Sequence, residues 1–422
     1  MKRVAFHTLG CKTNQYDTQA MRERFIAAGW TEVDFEAEAE VYVVNTCTVT
    51  NVSDRKSRQM IRRAARNGLV VAAGCLAQRD PAALAELEGV GVVLGTADRG
   101  TVVELTERAL AGERVQRVTP NLSHRQFEEL TIAESGPLAR ANLKIQEGCN
   151  RYCSYCAIPL VRGPARSRPL ASVAEEARRL RRSGCWEIVL TGIHLESYGC
   201  DLEGVTLLDA AAAVLETGAR VRLGSLEPML VTDEFLERLG ALPGLCPQFH
   251  LSLQSGSAAV LARMNRRYGP EEYAEAVRKL RARVPGCAIT TDVMAGFPGE
   301  TEAEHRENLA FLQQIGFARA HVFPYSPRPG TRAAGMPGQL SRALREARAR
   351  ELIAAAQPAA RAFLWSQQGR IQEILVEGEE QGTTAHSLTA RVNGPAQPGR
   401  LVRALCIGVT EQQLLCQQIK EA

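Results

Sequence analysis

The sequence predicts an α/β protein in three successive parts: an open parallel α/β sheet over residues 1–118, a partial (β/α)6 barrel over 139–368, and a small β-barrel over 369–422. A polar linker is expected at 119–138. Short apolar runs alternate with amphipathic stretches up to about residue 118 and again from 139 to about 330. Such alternation implies parallel strands with helices on the sheet faces. The last part breaks this rhythm with β-rich, turn-separated segments. The length of 422 residues suits two or three domains, and 45% hydrophobic content supplies their cores.

In order along the chain, "VAFHTL", "VYVVN", "LVVAAG" and "GVVLG" are strand candidates, separated by helical patterns such as "QYDTQAMRERFIAAG" and "RKSRQMIRRAARNG". The segment "TPNLSHRQFEELTIAESGP" is polar enough to read as the linker. Six further strands follow: "NLKIQE", "EIVLTG", "VRLGS", "FHLSLQ", "AITTDVMA" and "AHVFPY". Six βα units are too many for a small open sheet and too few for an eight-fold barrel. A partial barrel results, with its site at the carboxyl ends of the strands. Residues 341–368 are helical, with a kink expected at Pro358. "RIQEILVEG", "TAHSLTARV" and "GRLVRALCIGV" are the strands of a small terminal barrel.

The amino terminus is too polar for a signal peptide, and no stretch reaches the length of a membrane span. A cytoplasmic protein is expected, with its thiols reduced. Twelve cysteines there argue for metal or redox chemistry over a disulfide framework.

"EGCNRYCSYCAIP" ends the first barrel strand with Cys149, Cys153 and Cys156. A structural zinc site takes four protein ligands, and no histidine or fourth cysteine lies nearby. Three thiolates can instead hold a 4Fe–4S cluster by three irons, leaving the fourth open. Cys11, Cys47 and Cys75 are far apart in sequence, yet each follows a strand of the first part and precedes a helix. They would share the sheet edge at which open α/β folds bind ligands. Buried core cysteines are the alternative reading. Cys185, Cys200, Cys246, Cys287, Cys406 and Cys416 show no grouping in the sequence.

The C-x3-C-x2-C spacing resembles the signature of radical S-adenosylmethionine enzymes. With the second triad and the β-rich terminus, the whole chain resembles the methylthiotransferases of that superfamily. The resemblance implies two 4Fe–4S clusters, one auxiliary at Cys11, Cys47 and Cys75, and two S-adenosylmethionines. One of these methylates a sulfide associated with the auxiliary cluster; the other yields the radical that activates the substrate carbon. It implies cofactor contacts from Tyr155, from Thr191 and Gly192 in "LTGIHL", from Glu227 in "GSLEP", and from Gln254 in "LSLQSGS". It also implies a TRAM-type RNA-binding domain and a flavodoxin- or ferredoxin-like electron donor; the sulfur donor is left open.

Members of the family modify tRNA carrying isopentenyladenosine, tRNA carrying threonylcarbamoyladenosine, or a ribosomal-protein aspartate. "TLGCKTNQYDT", "TGIHLESYG" and "HVFPYSPRPGTRAAGMPGQ" resemble the threonylcarbamoyladenosine branch, whose partner is a tRNA anticodon stem-loop. A non-catalytic iron–sulfur RNA-binding protein is the reading from another class. Arg55, Arg58, Arg62 and Arg66 recur at helical spacing and suit a phosphate backbone or a solvated face. Arg162 and Arg166, with Arg168, follow the cysteine loop and are candidates for gripping the substrate or for salt bridges between domains. No aromatic follows Trp365, so RNA contact by the terminal domain falls to Arg391, Arg400, Arg403 and backbone amides.

Overall fold

A computed structural model describes residues 1–133 and 139–419. The first part is one six-stranded parallel sheet of β1 (Arg3–Thr8), β2 (Thr31–Val33), β3 (Val41–Thr46), β4 (Leu69–Gly74), β5 (Val90–Leu94) and β6 (Val115–Arg117). Its order is β2-β1-β3-β4-β5-β6, and the short edge strands β2 and β6 were not legible in the sequence. Every residue of β3 is buried. Val41 and Val43 pack into one core while Tyr42 and Val44 pack into another, because helices cover both sheet faces.

The expected linker is not a loose tether. Leu130 and Ile132 insert into the core of the second part, and Tyr16 Oη donates to the Leu130 carbonyl. Glu128 pairs with the buried Arg99 at 2.6 Å. Two apolar anchors and a carboxylate outweigh the segment's polar average. Residues 134–138 of that expectation lie outside the described residues.

The middle part supplies β7 (Arg140–Lys144), β8 (Gln146–Glu147), β9 (Arg166–Ser167), β10 (Glu187–Thr191), β11 (Arg220–Leu223), β12 (Ser225–Leu226), β13 (Gln248–Leu251), β14 (Ala288–Ala295) and β15 (Arg319–Pro324). All six expected barrel strands are present. They form one sheet ordered β11-β10-β7 and another ordered β12-β13-β14-β15. β11 and β12 are two halves of one strand, broken at Gly224, so the two sheets make a continuous open arc. β8 and β9 pair antiparallel and bracket the cysteine loop.

Alternation along these strands sorts the residues. Ile188, Leu190, Val221, Phe249, Leu251 and Ile289 face the helices and fill the main core. Their neighbours of opposite parity, including Arg222, Gln248, His250, Thr290 and Asp292, line a lumen cavity of about 860 Å³. The helix Arg342–Trp365 closes this arc and runs unbroken through Pro358.

The carboxyl-terminal part is a closed barrel of β16 (Ile371–Gly378), β17 (Gln381–Thr384), β18 (Thr389–Asn393), β19 (Leu401–Val409) and β20 (Leu414–Gln418), ordered β16-β17-β18-β20-β19. Cys406 and Cys416, ungrouped in sequence, are buried cross-strand neighbours there.

A charged joint fixes this barrel to the arc. Arg220 donates to the Glu373 and Thr383 carbonyls, and Arg222 to the Thr384 and Ala385 carbonyls. Both guanidiniums also hold the fully buried Glu187, at 2.6 and 2.9 Å. Arg222, Arg220 and Arg140 overcome the burial penalty and pull the Glu187 carboxyl down to about 2 from 4.5. Its contribution is therefore full above about pH 4.5 and is lost as the pH falls towards 2. Glu187→Gln should cost about 3 kcal/mol near neutral pH by leaving buried guanidiniums uncompensated. It should also flatten the acid dependence of stability below about pH 5, as read from urea unfolding midpoints.

Candidate active site

Three adjacent strands, β1, β3 and β4, carry the first thiol triad just beyond their carboxyl ends. Cys11 is the N-cap of the helix Lys12–Ala27 and is exposed. Cys47 and Cys75 are buried, the latter opening the helix Cys75–Arg79. Two glycines allow the approach. A Cβ on Gly10 would come within 3.0 Å of the Cys47 Cβ, and Gly74 has φ +92° against the Asn45 side chain. Burial pushes the Cys75 thiol up to about 11, and the nearby Cys11 and Cys47 add to the rise.

The second triad lies in the loop between β8 and β9. Burial raises Cys149 to about 11 and Cys156 to about 12, with Cys153 opposing the ionisation of each. Amides and a guanidinium already point at these sulfurs. The Arg151 and Ile158 amides approach Cys149 and Cys156 at 3.4 Å, and Arg266 approaches Cys153 at 3.3 Å.

Both triads fit an iron–sulfur cluster better than a lone ion. Among the described residues, the only three ligand atoms all within 4.8 Å of one another belong to His194, Glu196 and Glu227. In neither triad do all three sulfurs lie within 4.8 Å of one another, a spacing that suits a polynuclear core better than one ion. Burial raises Cys47, Cys75, Cys149 and Cys156, so a bound cationic core is what would keep these four as thiolates. The His194 group already has its cations. Arg151 pairs with Glu196 at 2.7 Å and with Glu227 at 3.0 Å, and Arg266 pairs with Glu227 at 3.0 Å. A hydrogen bond from His194 and these two guanidiniums hold Glu227 down at about 2.

Of the other expected cofactor residues, Tyr155 lies within the same loop, the Thr191–Gly192 turn borders it, and Gln254 pairs with β14. Gly192 is needed because a Cβ would meet the Gln146 side chain at 2.8 Å. Gln146 in turn accepts from the His194 amide and donates to the Gly148 carbonyl, tying the Thr191–His194 turn to the cysteine loop. Thr191 is buried at the end of β10. Tyr155 packs against Phe297 at 6.4 Å between ring centroids. Gln254, at φ +71°, has a buried Oε1 with no partner among the described residues.

Arg162 and Arg166 correct the expectation of RNA contact. Arg162 is fully buried, ending the short helix Ile158–Arg162 that follows the cysteine loop. Its guanidinium reaches Cys75 Sγ at 3.3 Å, Asn14 at 2.5 Å, Glu147 at 2.8 Å and Asp17 at 3.3 Å. One short segment therefore carries the second triad and touches the first. Arg166 is 3% exposed and donates to the Arg162 and Pro164 carbonyls. Arg168 is likewise buried, paired with Glu176 at 2.6 Å. The polar loop turns inward because buried carboxylates on both parts need cations, and no local sequence signal reports partners so distant.

Of the helical arginine stripe, Arg55 and Arg62 lie exposed on the helix Asn51–Ala64, which Thr50 caps. Arg66 is exposed just past its end. Arg58 departs from the expectation, since it pairs with Asp80 at 2.6 Å. In the terminal barrel Arg391 is held by Glu380, while Arg400 and Arg403 are exposed. No helix among the described residues is long and apolar enough to cross a membrane.

Residues 143–312 match the family described as the radical SAM superfamily, and residues 3–95 match the uncharacterized protein family UPF0004. The chain is 41% identical over 384 residues to a Bacillus subtilis (strain 168) protein named threonylcarbamoyladenosine tRNA methylthiotransferase MtaB, covering 89% of this chain and 85% of that one. It is 34% identical over 438 residues to the ribosomal protein uS12 methylthiotransferase RimO of Pelotomaculum thermopropionicum, covering 98% of each. In fold it is similar to the radical S-adenosylmethionine methyltransferase TsrM from Kitasatospora setae, with a TM-score of 0.56 and 16% identity over 79% of this chain and 74% of that one.

Proposed function

The chain belongs to the radical S-adenosylmethionine methylthiotransferases, and we propose that it adds a methylthio group to C2 of the threonylcarbamoyl-modified adenosine 37 beside the tRNA anticodon. The observation that carries this reading is the junction of two thiol triads, one from each α/β part, through Arg162. Greater identity to the threonylcarbamoyladenosine enzyme than to the ribosomal-protein enzyme, 41% against 34%, supports the choice of substrate.

In this reading Cys149, Cys153 and Cys156 hold one 4Fe–4S cluster, and Cys11, Cys47 and Cys75 hold a second. When bound, they supply the electron that cleaves S-adenosylmethionine and the iron–sulfur chemistry of sulfur transfer. The protein's own groups orient and exclude. Tyr155, Thr191, Gly192, Glu227 and Gln254 position S-adenosylmethionine beside the cysteine loop. Arg266 and Arg151 keep Glu227 ionised there across the physiological pH range. The lumen, at about 860 Å³, falls in the size range of ligand sites and can take a splayed nucleoside. Arg55, Arg62 and Arg66 would hold phosphates outside it. The protein would work in the cytoplasm, with a flavodoxin- or ferredoxin-like electron donor.

The test is anaerobic. Reconstituted protein is given dithionite, S-adenosylmethionine and tRNA carrying threonylcarbamoyladenosine, and digested nucleosides are weighed. A methylthio mass shift on that nucleoside is expected. Its absence alongside 5′-deoxyadenosine production would send the substrate assignment to isopentenyladenosine tRNA or to the ribosomal protein.

A further inference from the structure

Resting on that reading, we propose that Lys12 receives the threonine carboxylate of the substrate and so selects this nucleoside over adenosines with neutral N6 substituents. Lys12 directly follows Cys11 and opens the helix Lys12–Ala27. Its side chain lines the lumen cavity together with Arg222, His250 and Asp292. No hydrogen bond or ion pair engages its ammonium among the described residues.

Position and neighbours both argue against a purely structural role. A cation in the first turn of a helix opposes the helix dipole. Arg222 and Arg140 lie close enough to repel it further, and Glu187 offsets them in part. Three cations thus gather near one carboxylate, Glu187, which already pairs with two of them, Arg222 and Arg140. Asp292 is drawn to His250 at 3.5 Å and does not answer Lys12. An entering carboxylate would relieve that repulsion and make a charge-assisted hydrogen bond.

Arg319 and Arg361 also line the cavity. Arg319, however, opens β15 and pairs in register with Thr290 near the start of β14. Arg319 thus opens its strand, as Arg140 and Glu187 beside Lys12 open theirs; what sets Lys12 apart is that it alone adjoins a cluster-ligand candidate in the chain.

The substrate's own chemistry sets the distance. The ureido N–H of the threonine can close a six-membered hydrogen-bonded ring onto N1 of the adenine. The threonine then lies along the base edge that contains C2. A receptor for its carboxylate must accordingly sit beside the group that delivers sulfur to C2, and Lys12 is adjacent in the chain to Cys11.

The experiment uses the reconstituted enzyme and two anticodon stem-loops. One carries threonylcarbamoyladenosine; the other carries the same nucleoside with its carboxyl converted to a primary amide. Binding is measured by titration, and KM and kcat by product mass. The wild type should bind the acid about 10- to 100-fold more tightly than the amide. Lys12→Gln should erase that preference through loss of acid affinity alone, and Lys12→Arg should restore most of it. Equal weakening of acid and amide, or a loss of iron from Lys12→Gln, would overturn the assignment in favour of support for the cluster. If the wild type makes 5′-deoxyadenosine but never methylthiolates the acid stem-loop, the substrate reading itself falls, whatever the variants do.

Discussion

Cys153→Ala is expected to abolish 5′-deoxyadenosine formation and methylthiolation together, whereas Cys47→Ala should abolish methylthiolation and leave some reductive cleavage of S-adenosylmethionine. The two thiols belong to different triads on different sheets, one in the loop after β8 and one after β3. Each variant should lose about half of the bound iron, since each triad would hold about four irons. Iron and sulfide analysis with 5′-deoxyadenosine quantitation separates the cases. If Cys47→Ala kept full iron and full methylthiolation, the auxiliary site would be disproved and that cysteine would be only a core residue.

Replacing Arg162 with methionine should destabilise the protein by about 3–5 kcal/mol, because the buried Asp17, Glu147 and Asn14 oxygens each lose a guanidinium hydrogen bond that nothing replaces. This buried ion cluster is dense. Asp17 and Glu147 are met by Lys144, Arg99 and Arg162, with Lys144 and Asp17 at 2.5 Å. Counting Glu128 and Arg166 as well, the cations outnumber the carboxylates by one, 4 against 3. That surplus faces Cys75 through Arg162 and suits a thiolate-bound cluster of net negative charge. Arg162→Met should therefore also lose iron from the first triad, which a change in stability alone would not predict. Arg162→Lys keeps the charge but not the planar fork that reaches several acceptors at once, and should fall between the two. Denaturant unfolding and iron analysis on the same samples decide it. An unchanged unfolding midpoint with full iron would show that the cluster tolerates the loss.

How far the sequence could be read depended on the range of the interaction. Strand–helix alternation is local, so the six barrel strands and the four inner strands of the first sheet were legible. The short edge strands Thr31–Val33 and Val115–Arg117 were not, because three residues carry no period. The cysteine loop was legible because its three ligand candidates lie within eight residues. Cys11, Cys47 and Cys75 required one inference more, that each follows a parallel strand, and the order β1-β3-β4 puts those strands side by side.

Charge could not be assigned where its partner lies far along the chain. The sequence left Arg162 and Arg166 open between gripping substrate and bridging domains, and could not choose because Asp17 stands 145 residues from Arg162. Leu130 and Ile132 look like interruptions in a linker and are core residues. Lys12 looks like an ordinary surface lysine until the helix bearing it is set against the open arc.

The sequence by itself determined the family, the three-part α/β architecture and the two sets of thiols, because strand periodicity and ligand spacing are written locally. Only the tertiary structure decided that Arg162 joins the two sets, that a polar lumen lies between the arc and the terminal barrel, and that Lys12 projects into it. Those outcomes depend on which distant charges share a low-dielectric interior, where an unpaired ion is too costly to leave.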